Sequence, residues 1–210
     1  RSSDLLKLSD EIHAVPDAYY YNEPLTVFNG EHTMLPLMLS MYEISSAEDA
    51  ENYVLLLEDA PRYIGQIEQF EREKAAKGLF MTENALNKVL ESCIKFAETG
   101  NDCFLIGFFE DEMASAEFEI SEQQKTALLE RSRNSIINEL LPAYRSLANT
   151  LGQLRPQCGS FAGACMRGVD AKDYYAAAIK SNAACNAEYS SMADELSESI
   201  SSVYAKLVKI

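Results

Sequence analysis

Apolar residues recur at three- and four-residue intervals along most of the chain, the period of helices that bury one face. In "SDLLKLSDEIHAV", Leu5, Leu8 and Ile12 share a face behind a Ser3 cap. The stretch "PDAYYYNEPLTVFNGEHT" has no helical period. Pro16, Pro24 and Gly30 punctuate it, and its aromatics suit a short strand or a segment lying across a helical body. "MLPLMLSMYEI" reads as a brief buried helix beginning near Pro36. In "SSAEDAENYVLLLED", Ser45 stands three residues before Glu48, the spacing of a capping box. Asp59 is placed to cap the next helix, with Pro61 in its first turn, where a missing N–H does no harm. That helix turns Tyr63, Ile64, Ile67 and Phe70 inward and stops at Gly78. Thr82 opens another, with a stripe of Leu86, Val89, Leu90, Cys93, Ile94 and Ala97, and Gly100 ends it. A shorter helix in "NDCFLIGFFEDEMASA" offers Phe104, Leu105, Phe108 and Phe109 to the core.

The longest periodic run begins at Ser121, which forms a capping box with Gln124, and continues to Leu154. Pro142 stands inside it, in "NELLPAYRSLANTL". Proline in mid-helix costs about 3 kcal/mol, because it removes a hydrogen bond and its ring meets the carbonyl four residues back. The pattern therefore predicts one long helix kinked at the turn before Pro142, which lets it follow a curved core. "RPQCGSFAGACMRGVD" is the clearest loop. Asp170 and Asp173 then open a helix bearing Tyr174 and Tyr175. A last helix, capped by Asn186, runs from Tyr189 to Leu207 with no stop signal before the C-terminus. A helix that runs off the end in this way suggests a natural chain that continues beyond Ile210, and a start lacking methionine suggests one trimmed there. No repeat, low-complexity tract or linker interrupts the pattern. The expected architecture is all-α, one domain over residues 1–210 with about eight helices.

Composition narrows the function more than the fold. Apolar residues make up 47% of the chain, enough for a proper core. Eighteen Lys and Arg against thirty-three Asp and Glu give a net charge of −15, which repels phosphate backbones and anionic lipid. Nucleic-acid binding is thereby disfavoured, and no window approaches the ~20 apolar residues of a membrane-spanning helix. The five cysteines include no CxxC pair. Cys93 lies on an apolar helix face as a small buried hydrophobe, while Cys158 and Cys165 bracket a loop they would close if the protein is exported.

Reactive constellations are scarce. The two histidines, His13 and His32, lack the HExxH spacing that places two imidazoles and a general base on one helical face. No phosphate-cradling glycine pattern occurs, and "CGSFAG" has the wrong spacing for a serine elbow. "EDEMASAEFE" reads as a solvated acidic face and lacks the ligand alternation of a calcium loop. The tyrosines stand apart: "AYYYN" at 18–22 and "DYY" at 173–175. Tyr rings bury area while keeping a polar tip wet, so both groups suit either core edges or a ligand cleft. Adjacent helical residues point about 100° apart, so Tyr174 and Tyr175 cannot share one core stripe, and one of them is available to line a groove.

The order "ENYVLLLEDAPRYIGQIEQFEREKAAKGLFMTENALNKVLESCIKF", then "LLPAYRSLANTLGQL", a Gly-rich loop and "DYYAAAI" resembles the bacterial family listed as domain of unknown function 885, in its clostridial form. The resemblance runs from about Tyr19 to the C-terminus, carried by the "KGLFM" turn, the "PAY" in mid-helix and the Tyr pair. Full-length relatives look like zinc metallopeptidases of the gluzincin kind, many exported or lipid-anchored to the cell envelope, with an HExxH-type motif in their second half. The resemblance implies that this chain is the N-terminal and central helical part of such a protein. Zinc and the catalytic residues would then lie in the C-terminal half, which would be this chain's partner, with a peptide as substrate. Tyr144, Tyr174 and Tyr175 would stand at the wall of the substrate cleft, and the bend at Pro142 would help shape it. The family's usual glycine before the Tyr pair is Ala171 here, and the loop holding Cys158 and Cys165 departs from the usual form. The rival expectation is a self-contained, exported helical binding module that recognises a partner through its Tyr-rich segment at 18–22 and its acidic faces.

Overall fold

In the computed structural model of the chain, residues 18–161, 163, 166–168, 170–183, 194, 196–202 and 204 are described. The fold is all-α, with seven α-helices among those residues. They are α1 (Glu31–Leu39), α2 (Ala47–Ala76), α3 (Glu83–Ala97), α4 (Phe104–Ala114), α5 (Glu122–Ser135), α6 (Leu141–Gln153) and α7 (Ala171–Ala183). The helix expected behind Ser3 lies outside the described residues, as do His13, Cys165 and Cys185. Of the one expected behind Asn186, residues 194, 196–202 and 204 are described and helical.

By its internal contacts the chain divides into two compact units. One is Glu23–Ser160, which holds α1 to α6; the other joins Arg1–Asn22 with Phe161–Ile210 and holds α7.

In the Glu23–Ser160 unit, α2 is the spine. Its buried positions Ala50, Tyr53, Val54, Leu57, Ala60, Ile64 and Ile67 form one stripe, against which α5 and α6 pack. That continuity corrects the expectation of separate helices meeting at Asp59. The helix passes through Pro61 unbroken, and Asp59 pairs with Arg62 at 2.6 Å instead of capping. Burial of the stripe on both sides outweighs the hydrogen bond that proline removes, since each large buried side chain contributes roughly 1.5–3 kcal/mol.

The N-cap of α2 is Ser46, one residue later than expected; its hydroxyl accepts from the Asp49 N–H at 3.1 Å. The predicted stop at Gly78 holds. Gly78 has φ +71°, and Leu79 N–H reaches the Lys74 carbonyl at 3.0 Å while Gly78 N–H reaches Ala75 at 2.9 Å. That is a Schellman turn, which needs the left-handed conformation glycine adopts without strain. Thr82 caps α3, and Ser121 with Gln124 forms the capping box of α5, both as the sequence predicts.

The proline in the longest helical run is accommodated by a wide turn. Between α5 and α6, residues Ile136–Leu140 form a π-helical turn in which Leu141 N–H bonds to the carbonyl of Ile136, five residues back. Pro142 then falls at the second position of α6, directly after this turn and within one continuous helical run. π-turns are among the recognised causes of a helix kink.

Several expectations about burial need correction. Tyr63 of α2 and Ile94 of α3, both expected on inward stripes, are exposed, because each lies one residue before or after the buried positions Ile64 and Cys93 and so falls off the stripe. α1 begins at Glu31 with Pro36 inside it, and it is only partly buried: His32, Pro36 and Leu39 face inward while Leu37, Met38 and Met41 are exposed. In α4 the core residues are Leu105, Ile106, Phe109 and Met113, and Phe104 lies half exposed.

Candidate functional site

Three clusters of polar or aromatic side chains are held by the fold tightly enough to be considered as sites. The first surrounds Tyr144 in the Glu23–Ser160 unit. Pro36 lacks the N–H that would bond to the carbonyl of His32, four residues earlier in α1. Tyr144, projecting from α6, fills that vacancy: its hydroxyl donates to the His32 carbonyl oxygen at 3.0 Å. The ring is wholly buried and packs edge-on against Phe96 at 4.6 Å. Burial holds its phenol far above the ordinary range, so it stays a donor. Tyr144 is thus enclosed in its unit's core with no surface to offer a ligand directly. Its hydroxyl joins two helices by replacing the donor that proline lacks. Tyr144→Phe should cost about 1–3 kcal/mol in a urea melt, because the buried carbonyl loses its donor. A loss below half a kcal/mol would refute that role.

The His32 side chain is also unusual. It is 3% exposed, and neither ring nitrogen has a hydrogen-bond partner. Gly30 makes room for it: a Cβ there would stand 2.6 Å from His32 Nδ1 and 2.6 Å from the Thr26 backbone nitrogen. Burial lowers the imidazole pKa from 6.5 to about 4.

The second cluster is a buried ion pair that sequence periodicity alone does not identify. "EREKAAKG" resembles an exposed helix end, yet Glu71 and Lys74 are both fully buried. They continue the α2 stripe beyond Ile67 at helical spacing, a signal masked by their charge. Lys74 Nζ lies 3.4 Å from Glu71 and 3.0 Å from Glu23, and 5.7 Å from the Phe70 ring centroid. Burial lowers the Lys74 pKa and raises that of Glu71, each opposed by the other's charge.

The third cluster lies in the other unit and joins the two tyrosine motifs of the sequence. Tyr21 stacks on Tyr174, with centroids 4.1 Å apart and planes at 17°. The Arg167 guanidinium, 6% exposed, lies over the Phe161 ring at 5.6 Å, and its surroundings include Tyr21 and Tyr174. Tyr175, next in sequence, is turned towards solvent. As their spacing requires, the two tyrosines of α7 serve different faces, one stacked and one exposed.

The Glu23–Ser160 unit also has a pocket of about 250 Å³ between α3 and α6, lined by Ile94, Ala97, Glu98, Arg145, Ala148 and Asn149. That is below the ~300–1,000 Å³ usual for small-molecule sites. Arg145 is partly engaged, donating to the Ala97 carbonyl at 3.2 Å.

No group of three or more His, Cys, Asp or Glu side chains able to hold a metal occurs among the described residues. Neither ring nitrogen of His32 has a hydrogen-bond partner, Cys93 and Cys103 are buried free thiols, and Cys158 is a partly exposed free thiol. Among the described residues, no helix is long and apolar enough to cross a membrane.

Among solved structures, the chain is similar to one described as "the putative lipoprotein from Colwellia psychrerythraea", at 19% identity and a TM-score of 0.67. The likeness covers 75% of this chain but 27% of that one, so the chain spans about a quarter of its neighbour's length. At that identity the likeness establishes the fold alone. No curated protein matches. The family described as "Bacterial protein of unknown function (DUF885)" matches residues 3–207, nearly the whole sequence, and the chain belongs to that family.

Proposed function

We propose that this chain is the non-catalytic helical segment of a zinc-dependent peptidase, a scaffold for the substrate cleft whose reactive metal lies on further polypeptide. The observation that carries this reading is the asymmetry of the fold match. Three-quarters of this chain matches about a quarter of a much longer protein, so a segment of this kind occurs within a larger assembly. In the proposed cleft, Tyr174 and Tyr175 contribute to the wall. Within the Glu23–Ser160 unit, Tyr144 contributes by fixing α1 to α6. The partner is the remaining part of the same protein, and the parent is exported or held at the cell envelope, in keeping with the word "lipoprotein" in the neighbour's description.

Metal analysis and peptide hydrolysis on the purified chain, beside a full-length polypeptide containing it, test this proposal. The chain alone should hold no equimolar zinc and cleave nothing, whereas the full-length protein should do both. Stoichiometric zinc in the chain by itself would overturn the assignment.

A second reading is a self-contained exported helical module that binds a partner without catalysis. It draws on Tyr19, exposed at the head of the Tyr-rich turn Ala18–Tyr21. A full-length polypeptide that binds no zinc and retains partner recognition would favour it.

A further inference from the structure

α1 is an exception on this acidic protein. From Thr33 to Tyr42 the sequence "TMLPLMLSMY" carries no ionisable side chain except the Tyr42 phenol, so beyond its first turn the helix has no charged face. A helix that is apolar all round is normally enclosed by protein. Here Leu37 is 48%, Met38 65% and Met41 71% exposed. The Met41 N–H bonds to the Met38 carbonyl at 3.1 Å, so the three side chains crowd into about one turn. Together they bare an apolar area on the order of a few hundred Å², the size at which a patch marks an interaction site.

The charged residues that flank this turn in sequence, Glu31 before it and Glu43 and Glu48 after it, are all acidic. Between Glu23 and Pro61 the sequence has eight acidic residues and no Lys or Arg; Glu23, Glu51, Glu58 and Asp59 are paired with Lys74, Arg131 and Arg62 from outside that stretch. Glu43 and Glu48, immediately beyond the patch, are exposed. Tyr42 packs against Tyr53 of α2 at 5.7 Å, which anchors the end of the patch to the spine. The result is an adaptable, methionine-rich apolar surface on a rigid base, bordered by carboxylates.

We infer that this face of α1 docks an amphipathic polypeptide helix whose aliphatic side is flanked by Lys or Arg. Charge complementarity selects that occupant. A second copy would bring acidic border against acidic border in a molecule of net charge −15. Anionic lipid would meet the same repulsion. The inference does not depend on the peptidase reading.

Fluorescence anisotropy with the intact chain tests it, using a labelled synthetic helix with a leucine face flanked by lysines. A matched peptide with glutamates in place of the lysines is the control, and sedimentation and flotation with anionic vesicles run in parallel. The lysine peptide should bind, more weakly as salt rises, and protect the amides around Leu37 to Tyr42 from exchange. The Met38→Ser, Met41→Ser double variant should lose about tenfold in affinity. Both substitutions are exposed, so the melting curve should stay near that of the parent chain. Equal binding of the glutamate peptide, or no effect of the double variant, would overturn the inference. So would self-association or vesicle binding that the double variant abolishes.

Discussion

Replacing Lys74 with methionine is expected to destabilise the Glu23–Ser160 unit by roughly 3–5 kcal/mol, because it leaves the Glu71 carboxyl buried without its counter-charge. Glu71 already has one oxygen with no hydrogen-bond partner. Taking away the ammonium 3.4 Å from the other strands the whole group in the core. The informative comparison is the double variant Lys74→Met, Glu71→Leu. Removing both charges together should recover most of the loss, since a well-packed apolar pair often matches or exceeds a buried salt bridge. Urea midpoints of the four proteins in this cycle give the answer. If the single substitution cost less than one kcal/mol, or the double variant fell as far as the single, the pair would not be the buried unit its geometry describes. Glu23 also bonds to Lys74, so the lysine ties the start of the unit to the end of α2, and some of the loss should appear as fraying there.

Acid should weaken the same unit through His32. Its imidazole is neutral in both folded and unfolded chains above pH 6.5, where it contributes nothing to the pH dependence. Below that, the unfolded chain takes up a proton that the buried ring, with its pKa lowered to about 4, refuses. The unfolded state then holds more protons, and stability falls as pH falls. The loss accumulates between pH 6.5 and about 4, reaching roughly 3 kcal/mol at the lower end. His32→Leu should abolish this portion of the profile. At neutral pH it should also stabilise by about 1–2 kcal/mol, because two buried nitrogens without partners are replaced by hydrocarbon. Melting temperatures of parent and variant from pH 7 to 4 provide the measurement. Parallel curves would show that His32 does not titrate as its burial requires.

Local signals in the sequence were legible where a residue acts through its own backbone. Thr82, the Ser121–Gln124 pair and Gly78 each mark a helix end by chemistry confined to a few neighbours. Pro61 was misleading because its local effect is real but is outweighed by a stripe of burial extending on either side of it. The tyrosines were half legible. Spacing on the helix separates Tyr174 from Tyr175, but nothing in the sequence announces that Tyr21 will stack on Tyr174 across more than 150 residues of chain. The role of Tyr144 was hidden for the same reason: the need arises at Pro36 in one helix and is met from another. Glu71 and Lys74 follow the period faithfully, but charged side chains are so seldom fully buried that the period alone does not place them in the core.

The wide turn ahead of Pro142 also sets the rotational phase of everything after it. In α5 the inward positions are Leu128, Ser132 and Ser135. Extended at about 3.6 residues per turn, that face would next meet Glu139, Pro142 and Ser146. The observed inward residues are Leu140, Tyr144, Leu147 and Leu151, displaced by roughly one place. One surplus residue thus acts as a splice between two helices whose apolar patterns are out of step, and it swings a carboxylate out of the core while bringing Tyr144 in.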